Sequence, residues 1–146
     1  MYKAISAFLL VTALAVVSGC ASVPMADTAQ DTQVKSFAPP AAGKAGVYIY
    51  RNETFGAAIR LEVFLDGKKI GETASKTYFY VEVDPGQHEV SGKGENESSM
   101  RFNAVAGQQY YFWQEVKMGL LTPRNEVKPV DQATGRAGVL ESKLVK

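Results

Sequence analysis

Residues 59–92 constrain the fold more than any other part of the chain, because they contain several strand signals separated by clear turns. The first signal alternates apolar with mostly polar residues, the period-two pattern of a strand with one face in a core. Its apolar members are Ile59, Leu61, Val63 and Leu65. A second run is predicted to point Phe79, Val81 and Val83 inward. Turn residues at 66–67 and 84–86 reverse the chain, the first before a return strand at 70–73 and the second before His88 and Val90. The stretch therefore predicts a β-meander.

Strand signals also flank this stretch. Residues 47–51 form a β-prone run with Tyr48 and Tyr50 on one face and valine and isoleucine on the other. A further strand is predicted to end near Ala104. The first four residues of the run 110–116 are apolar on both faces of the strand, which favours a central strand covered on both faces over a carbohydrate-stacking platform. The interruption by Pro129 predicts that 127–130 is an edge or irregular strand. The chain is therefore predicted to be all-β and mainly antiparallel, a small β-sandwich of about seven strands.

Two segments after residue 116 carry weaker signals. Residues 118–123 form an apolar loop closed by Pro123. We expect this loop to fold inward over the core, the alternative being an exposed contact tip. Asp131 is suited to cap a turn or short helix. Ala137, Leu140 and Leu144 follow at helical spacing and predict a short C-terminal helix that buries them, although glycines weaken its first turn.

The amino terminus has the layout of an export signal. Lys3 is followed by an apolar run at 4–17, which is too short to span a bilayer comfortably as a helix. Small residues then precede a cysteine, and Val17-Ser18-Gly19-Cys20 resembles the lipobox of bacterial lipoproteins. The resemblance implies that residues 1–19 are a lipoprotein signal peptide, cut before a lipidated Cys20. The alternative is an ordinary signal peptide with a chance cysteine.

Residues 20–44 are predicted to be a flexible linker between the lipid and a single domain at 45–146. The segment is rich in Ala, Pro, Asp, Thr, Gln and Ser and has no sustained apolar period. A flexible chain of this length reaches roughly 25 Å, enough to hold a domain clear of the lipid headgroups. Ala21 directly after Cys20, rather than Asp, implies by resemblance to this lipoprotein class sorting to the outer membrane, with the domain facing the periplasm.

The charge balance argues against nucleic acid as a partner. Cleavage before Cys20 removes Lys3 and no acidic residue, so 16 basic side chains become 15 and match the 15 acidic ones. Nucleic-acid binding depends on neutralising many phosphates, and a chain without net positive charge is poorly suited to it.

Several of these segments together resemble the DUF2846 group of bacterial lipoproteins over about residues 45–144. They are the lipobox, 47–51, 63–71, 85–88 and Ala106-Gly107 before 110–112. The strand and turn residues at 63–71 and 83–90 are also similar to those of PEGA-type domains. These likenesses imply a small extracytoplasmic β-sandwich that serves as an interaction or surface domain, and they supply no active-site residues.

No catalytic or metal-binding constellation is recognisable in the sequence. His88 is the only histidine, and Cys20, the only cysteine, is assigned to lipid, so no cluster of these ligands is expected. We expect His88 to flank a turn with a satisfied hydrogen bond. We therefore predict no metal, no cofactor and no enzymatic activity.

Two functions remain open at this stage. The first is a non-catalytic interaction module that is anchored in the outer membrane through lipidated Cys20 and binds an envelope protein or glycan. The alternative is an envelope hydrolase that acts on the cell wall with strand carboxylates as acid and base. The four candidate carboxylates are Glu62, Glu82, Glu89 and Glu115. We expect them instead to be solvated and paired with Arg60, Lys69 or Arg101.

The lipobox assignment predicts that fatty acid is incorporated at one residue. Cells fed a radiolabelled fatty acid should label the wild-type chain and leave a Cys20→Ser variant unlabelled, because a hydroxyl does not replace the thiol that is alkylated. Labelling is read from immunoprecipitated protein. A Ser22→Cys variant of the Cys20→Ser chain is a matched control that keeps a thiol nearby and should also stay unlabelled. Label that persists in the Cys20→Ser chain would contradict the assignment.

Overall fold

Two β-sheets pack face to face around a common core in the computed structural model, which describes residues 20–146. The elements are α1 (Thr28–Val34), β1 (Ala45–Arg51), β2 (Leu61–Leu65), β3 (Lys68–Thr73), β4 (Thr77–Val83), β5 (Gly86–Lys93), β6 (Glu97–Ala104), β7 (Gln109–Lys117), β8 (Arg124–Val130), α2 (Gln132–Leu140) and β9 (Lys143–Leu144). One sheet has the order β8-β7-β1-β4-β9 and the other β3-β2-β5-β6. The predicted all-β sandwich is confirmed, with nine strands in the described chain.

The connectivity differs from the predicted meander. β2 and β3 form the expected hairpin, and both residues of its turn, Asp66 and Gly67, have positive φ, as a tight two-residue turn requires. β4, however, joins the other sheet beside β1, and β5 returns to pair with β2. Alternation shows which side of a strand faces the core. It does not show which sheet the strand joins, because both sheets face that core.

β1 is the centre of the five-stranded sheet and is buried along its whole length. It runs antiparallel to β4 and parallel to β7. Val47 and Ile49 enter the core between the sheets, whereas Tyr48 and Tyr50 enter a second apolar layer on the outer face of the sheet. The predicted central strand at 110–116 is confirmed, since β7 lies between β1 and β8.

The second layer corrects the prediction of a flexible linker at 20–44. α1 and the residues around it lie against the tyrosines on the outer face of the sheet. Val34 and Phe37 pack there, Val23 is buried in the core between the sheets, and the Tyr78 hydroxyl donates a hydrogen bond of 2.8 Å to Asp31. The sequence did not reveal this because only a few scattered side chains make the contact, too few to produce a period.

α2 is present as predicted and is capped by Asp131, but it buries a different face from the one expected. Ala137 and Leu140 are exposed, and Leu144 lies in β9 beyond the helix. Gly135 and Gly138 face the sheet instead, and a β-carbon on either would collide with the ring of Tyr111 or Tyr50. The glycines that weaken the helix are therefore the residues that allow it to approach the tyrosine layer closely.

Side chains of β6 and of the turn before it close one side of the sandwich against the outer edge of β8. The Asn125 amide donates to the Asn96 side-chain oxygen at 2.8 Å, and the Val127 amide donates to the Ser98 hydroxyl at 2.9 Å. Pro129, two residues further along β8, has no N–H. This edge therefore offers few free backbone donors for pairing with another strand.

The close approach of α2 predicts that two opposite substitutions at neighbouring positions both destabilise the protein, for different reasons. Gly138→Ala should lower the free energy of unfolding by roughly 1–3 kcal/mol, because overpacking against Tyr50 outweighs the gain in helix propensity. Ala137→Gly, on the exposed face, should lower it by about 0.5–1 kcal/mol through propensity alone. Urea denaturation of both variants measures this. A Gly138→Ala chain more stable than wild type would contradict the packing described.

Candidate functional site

The end of the sandwich at which β1 and β7 finish carries Cys20. Because these strands are parallel neighbours, their carboxyl ends lie at the same edge of the sheet. The loops 52–60 and 118–123 leave from this edge. The tip of the β5–β6 hairpin joins them, since the Glu95 amide donates to the Pro123 carbonyl at 3.0 Å. We call this region, residues 20–25, 52–60, 94–96 and 118–123, the Cys20 end.

Cys20 is exposed and is held close to the folded domain. The amide of Ala21, the next residue, donates a hydrogen bond of 2.9 Å to the carbonyl of Ala57 in loop 52–60. Val23 is already buried in the core. The predicted recognition residues Val17, Ser18 and Gly19 lie outside the described part of the chain.

Arg51, at the end of β1, organises the loop to which Ala21 is bonded. Its side chain is completely buried. The guanidinium donates to the carbonyls of Gly56 at 2.6 Å and Ile59 at 3.0 Å. Burial lowers the pKa of Arg51, and the nearby charge of Glu53 opposes that effect. The sequence does not reveal this role, because a charged residue that ends an apolar strand has the same pattern as one that turns to solvent.

Glu53 joins loop 52–60 to β7. Its carboxylate accepts hydrogen bonds from the indole N–H of Trp113 at 3.0 Å and from the amide of Val116 at 2.7 Å. Its carbonyl accepts from the Ser75 hydroxyl at 2.8 Å. The loop that holds Ala21 is therefore tied directly to the strand that leads into loop 118–123.

Large apolar side chains are exposed at the Cys20 end. Leu120 and Leu121 are each 96% exposed, Met118 is 78% exposed and Phe55 is 51% exposed. The expectation that loop 118–123 folds inward is therefore wrong. Glu95 accepts hydrogen bonds from both the amide and the hydroxyl of Thr122, which holds the base of the loop to the hairpin tip and leaves the preceding leucines in solvent.

A mainly apolar groove of about 380 Å³ lies beside Cys20 at the same end. It runs between the amino-terminal segment and the start of β4, and its lining includes Val23, Met25, Ala74, Lys76 and Lys143. Its walls combine aliphatic side chains with two exposed lysines and the exposed carboxylate of Glu141.

The four candidate carboxylates are spread over both sheets. Glu62 pairs with Lys69 at 2.6 Å and Glu89 with Arg101 at 2.9 Å, as predicted. Although they share a sheet, Glu62 lies opposite Lys93 in the register, four residues along β5 from Glu89. That offset separates them by ~13 Å, beyond the spacing that glycoside hydrolysis requires.

The other two carboxylates lie on the five-stranded sheet. Glu82 accepts a hydrogen bond of 3.0 Å from the Tyr80 hydroxyl. Glu115 is bonded to Lys128 and Lys117. Partial burial raises the pKa of Glu115, but the hydrogen bonds from these lysines outweigh it and hold the pKa below its usual value. A carboxyl of this kind is ionised at neutral pH and is poorly suited to act as a general acid.

His88 lies at the opposite end of the sandwich and has a hydrogen-bond partner at each ring nitrogen, as expected for a turn-flanking residue. Nδ1 lies 2.6 Å from the Asp66 carboxylate and Nε2 lies 2.7 Å from the Asp84 carbonyl oxygen. The hydrogen bond to Asp66 raises the pKa of His88. Within residues 20–146, no group of three or more His, Cys, Asp or Glu side chains is placed to hold a metal ion.

Comparison with known proteins gives a family for this chain. The family described as "Protein of unknown function (DUF2846)" matches residues 41–128, which run from just before β1 into β8. The chain belongs to the DUF2846 family. It is also similar to an uncharacterized protein of Haemophilus influenzae, with 31% identity over 123 residues, 84% of this chain and 73% of the relative. No solved structure matches it.

The DUF2846 match leaves Cys20 and α2 outside its limits. Loop 52–60, the exposed leucines of loop 118–123 and the His88 pair all lie within it. Across residues 20–146, no helix has the length and apolar character needed to cross a membrane.

The pair between His88 and Asp66 predicts a specific dependence of stability on pH. The pKa of His88 is raised in the folded state, so the pair with Asp66 stabilises the protein fully below about pH 6.5. This contribution to the free energy of unfolding is lost as the pH rises through the higher folded-state pKa. Partial burial raises the pKa of Asp66, but the hydrogen bonds from His88 and the Glu89 amide, together with the charge of His88, outweigh this and lower the pKa. The contribution of Asp66 to the free energy of unfolding is therefore present above pH 3.8 and is lost as the pH falls. Because Asp66 is half exposed, the free energy of unfolding should fall by less than about 1 kcal/mol at either the high-pH or the low-pH limit.

Denaturation of the Cys20→Ser chain as a function of pH measures this. His88→Gln should remove the decline in the free energy of unfolding that begins near pH 6.5, because glutamine does not titrate. Asp66→Asn should remove most of the same decline. His88 is the only histidine, so no other imidazole contributes. An unchanged decline in His88→Gln would show that the pair does not set the pH dependence.

Proposed function

We propose that this chain is a lipoprotein of the bacterial cell envelope, anchored in the outer membrane through a lipidated Cys20 with its domain in the periplasm. The observation that carries the proposal is the position of Cys20. It follows a segment with the layout of an export signal and is exposed at the first of the residues that the structure describes. A cysteine at that place is accessible to lipid-transferring enzymes, and two or three acyl chains hold a protein firmly to a membrane.

We further propose that the domain is a non-catalytic binding module and that its partner is another envelope protein. The candidate carboxylates support this, because lysine, arginine or tyrosine groups hold them at separate places on the two sheets. Binding requires an accessible surface of suitable chemistry and no positioned acid and base.

The partner surface that we favour is the end opposite Cys20, made by turns 66–67, 84–86 and 105–108. An anchor at Cys20 would present this end to the periplasm. It carries the His88 pair with Asp66, an ion pair of 2.6 Å between Lys44 and Asp84, and a polar groove of about 340 Å³ whose lining includes Gln87 and Arg101. Its hydrogen-bonding groups suit a polar protein surface, which is typical of the rim of reversible interfaces.

In-cell photo-crosslinking tests the module. A photoreactive residue at Gln87 or Arg101 should form a discrete protein adduct, whereas one at Ala137, on the exposed face of α2, should form none. Adducts are detected on denaturing gels and identified by mass spectrometry. An adduct with glycan would show that the partner is a sugar and not a protein. No specific adduct at any exposed position would argue against a binding module.

A further inference from the structure

Building on the lipid anchor proposed above, we infer that the Cys20 end lies directly on the lipid bilayer and that Phe55, Met118, Leu120 and Leu121 enter the lipid. The surface is a set of loop tips, and the partner is the membrane that would hold Cys20. The inference depends on three features of the fold: the attachment of Cys20, the position of the loops and the exposure of their side chains.

The attachment leaves almost no free chain between Cys20 and the domain. Ala21 is hydrogen-bonded to Ala57, and Val23 is buried in the core. A lipid on Cys20 therefore brings loop 52–60 to the membrane surface. A domain on a flexible linker can stand clear of the headgroups, but a domain bonded one residue after its lipid cannot.

The fold places loop 118–123 at the same end as the lipid attachment. β1 and β7 are parallel and adjacent, so the loops that follow them leave from one edge. Glu53 bonds loop 52–60 to Val116, immediately before loop 118–123. The position of the leucines relative to Cys20 is thus determined by the parallel pairing of β1 with β7 and by the hydrogen bond between the Val116 amide and Glu53.

The composition of the loop tips suits lipid. Leu120 and Leu121 are almost fully exposed and adjacent, and the loop that holds them lies between Lys117 and Arg124. Lys117 is paired with Glu115 and Glu126, whereas Arg124 is exposed, as is Lys76 near Cys20. Apolar tips with basic residues at their base match the order of acyl chains and anionic headgroups across a membrane interface. Glu95, an acidic group on the neighbouring β5–β6 hairpin tip, accepts hydrogen bonds from Thr122.

Lipid-borne quenchers test the inference in the acylated protein. A Leu121→Cys variant provides one free thiol, because Cys20 carries lipid, and is labelled with an environment-sensitive fluorophore. The purified protein is placed in vesicles of phosphatidylethanolamine and phosphatidylglycerol that contain lipids with quenchers on their acyl chains. We expect loss of most of the fluorescence at 121. A Val105→Cys variant is the matched control, because Val105 is 50% exposed at the opposite end, and it should lose little.

The outcomes separate this inference from the proposed function. Mass spectrometry first establishes whether Cys20 is acylated, and a chain without lipid would overturn both. If the acylated protein shows equally weak quenching at 121 and 105, the bilayer contact is wrong and the anchor stands. Protection of position 121 by a second copy of the chain or by another protein, in place of lipid, would also overturn it. Phe55→Ser with Leu120→Ser should remain anchored and show reduced quenching at 121.

Discussion

The structure depends on the burial of β1 on both faces. Its valine and isoleucine side chains require the four-stranded sheet on one side, and its tyrosines require a cover on the other. The outer tyrosine layer is formed by Tyr48, Tyr50, Tyr78 and Tyr111. Aromatic side chains bury roughly 150–250 Å² each, so an uncovered layer would expose roughly 600–1,000 Å². Monomeric soluble proteins rarely expose an apolar patch of that size, which explains why the amino-terminal segment and α2 both pack there.

The cover on β1 has a direct consequence for Cys20. Because the residues after it pack against the domain, the segment that would otherwise serve as a spacer is part of the fold. Arg51 adds a second constraint, since its buried guanidinium orders the carbonyls of loop 52–60 and that loop in turn holds Ala21. A buried charged group is costly without hydrogen bonds, and the two that the Nη atoms of Arg51 donate to loop 52–60 set the position of the chain beside Cys20.

The two ends of the sandwich differ in chemistry. The Cys20 end exposes leucine, methionine and phenylalanine side chains, whereas the opposite end has histidine, aspartate, lysine and arginine in hydrogen bonds and ion pairs. This contrast supports the proposal that the protein is held to lipid at one end and meets a polar partner at the other. The same parallel pairing of β1 and β7 that builds the core also collects the apolar loops at one end.

Local patterns in the sequence determined the positions of most strands and turns, the central place of residues 110–116, the edge character of 127–130 and the cap of α2 at Asp131. These features depend on neighbours along the chain, through side-chain alternation, turn chemistry and proline's missing N–H. The tertiary structure decided the rest. β4 joins the five-stranded sheet, and residues 20–44 cover the tyrosines on its outer face. The glycine face of α2 packs on the same tyrosines, and loop 118–123 stays in solvent. Each of these depends on contacts between residues far apart in the chain, where a few side chains such as Phe37, Glu95 and Arg51 act without a periodic signal.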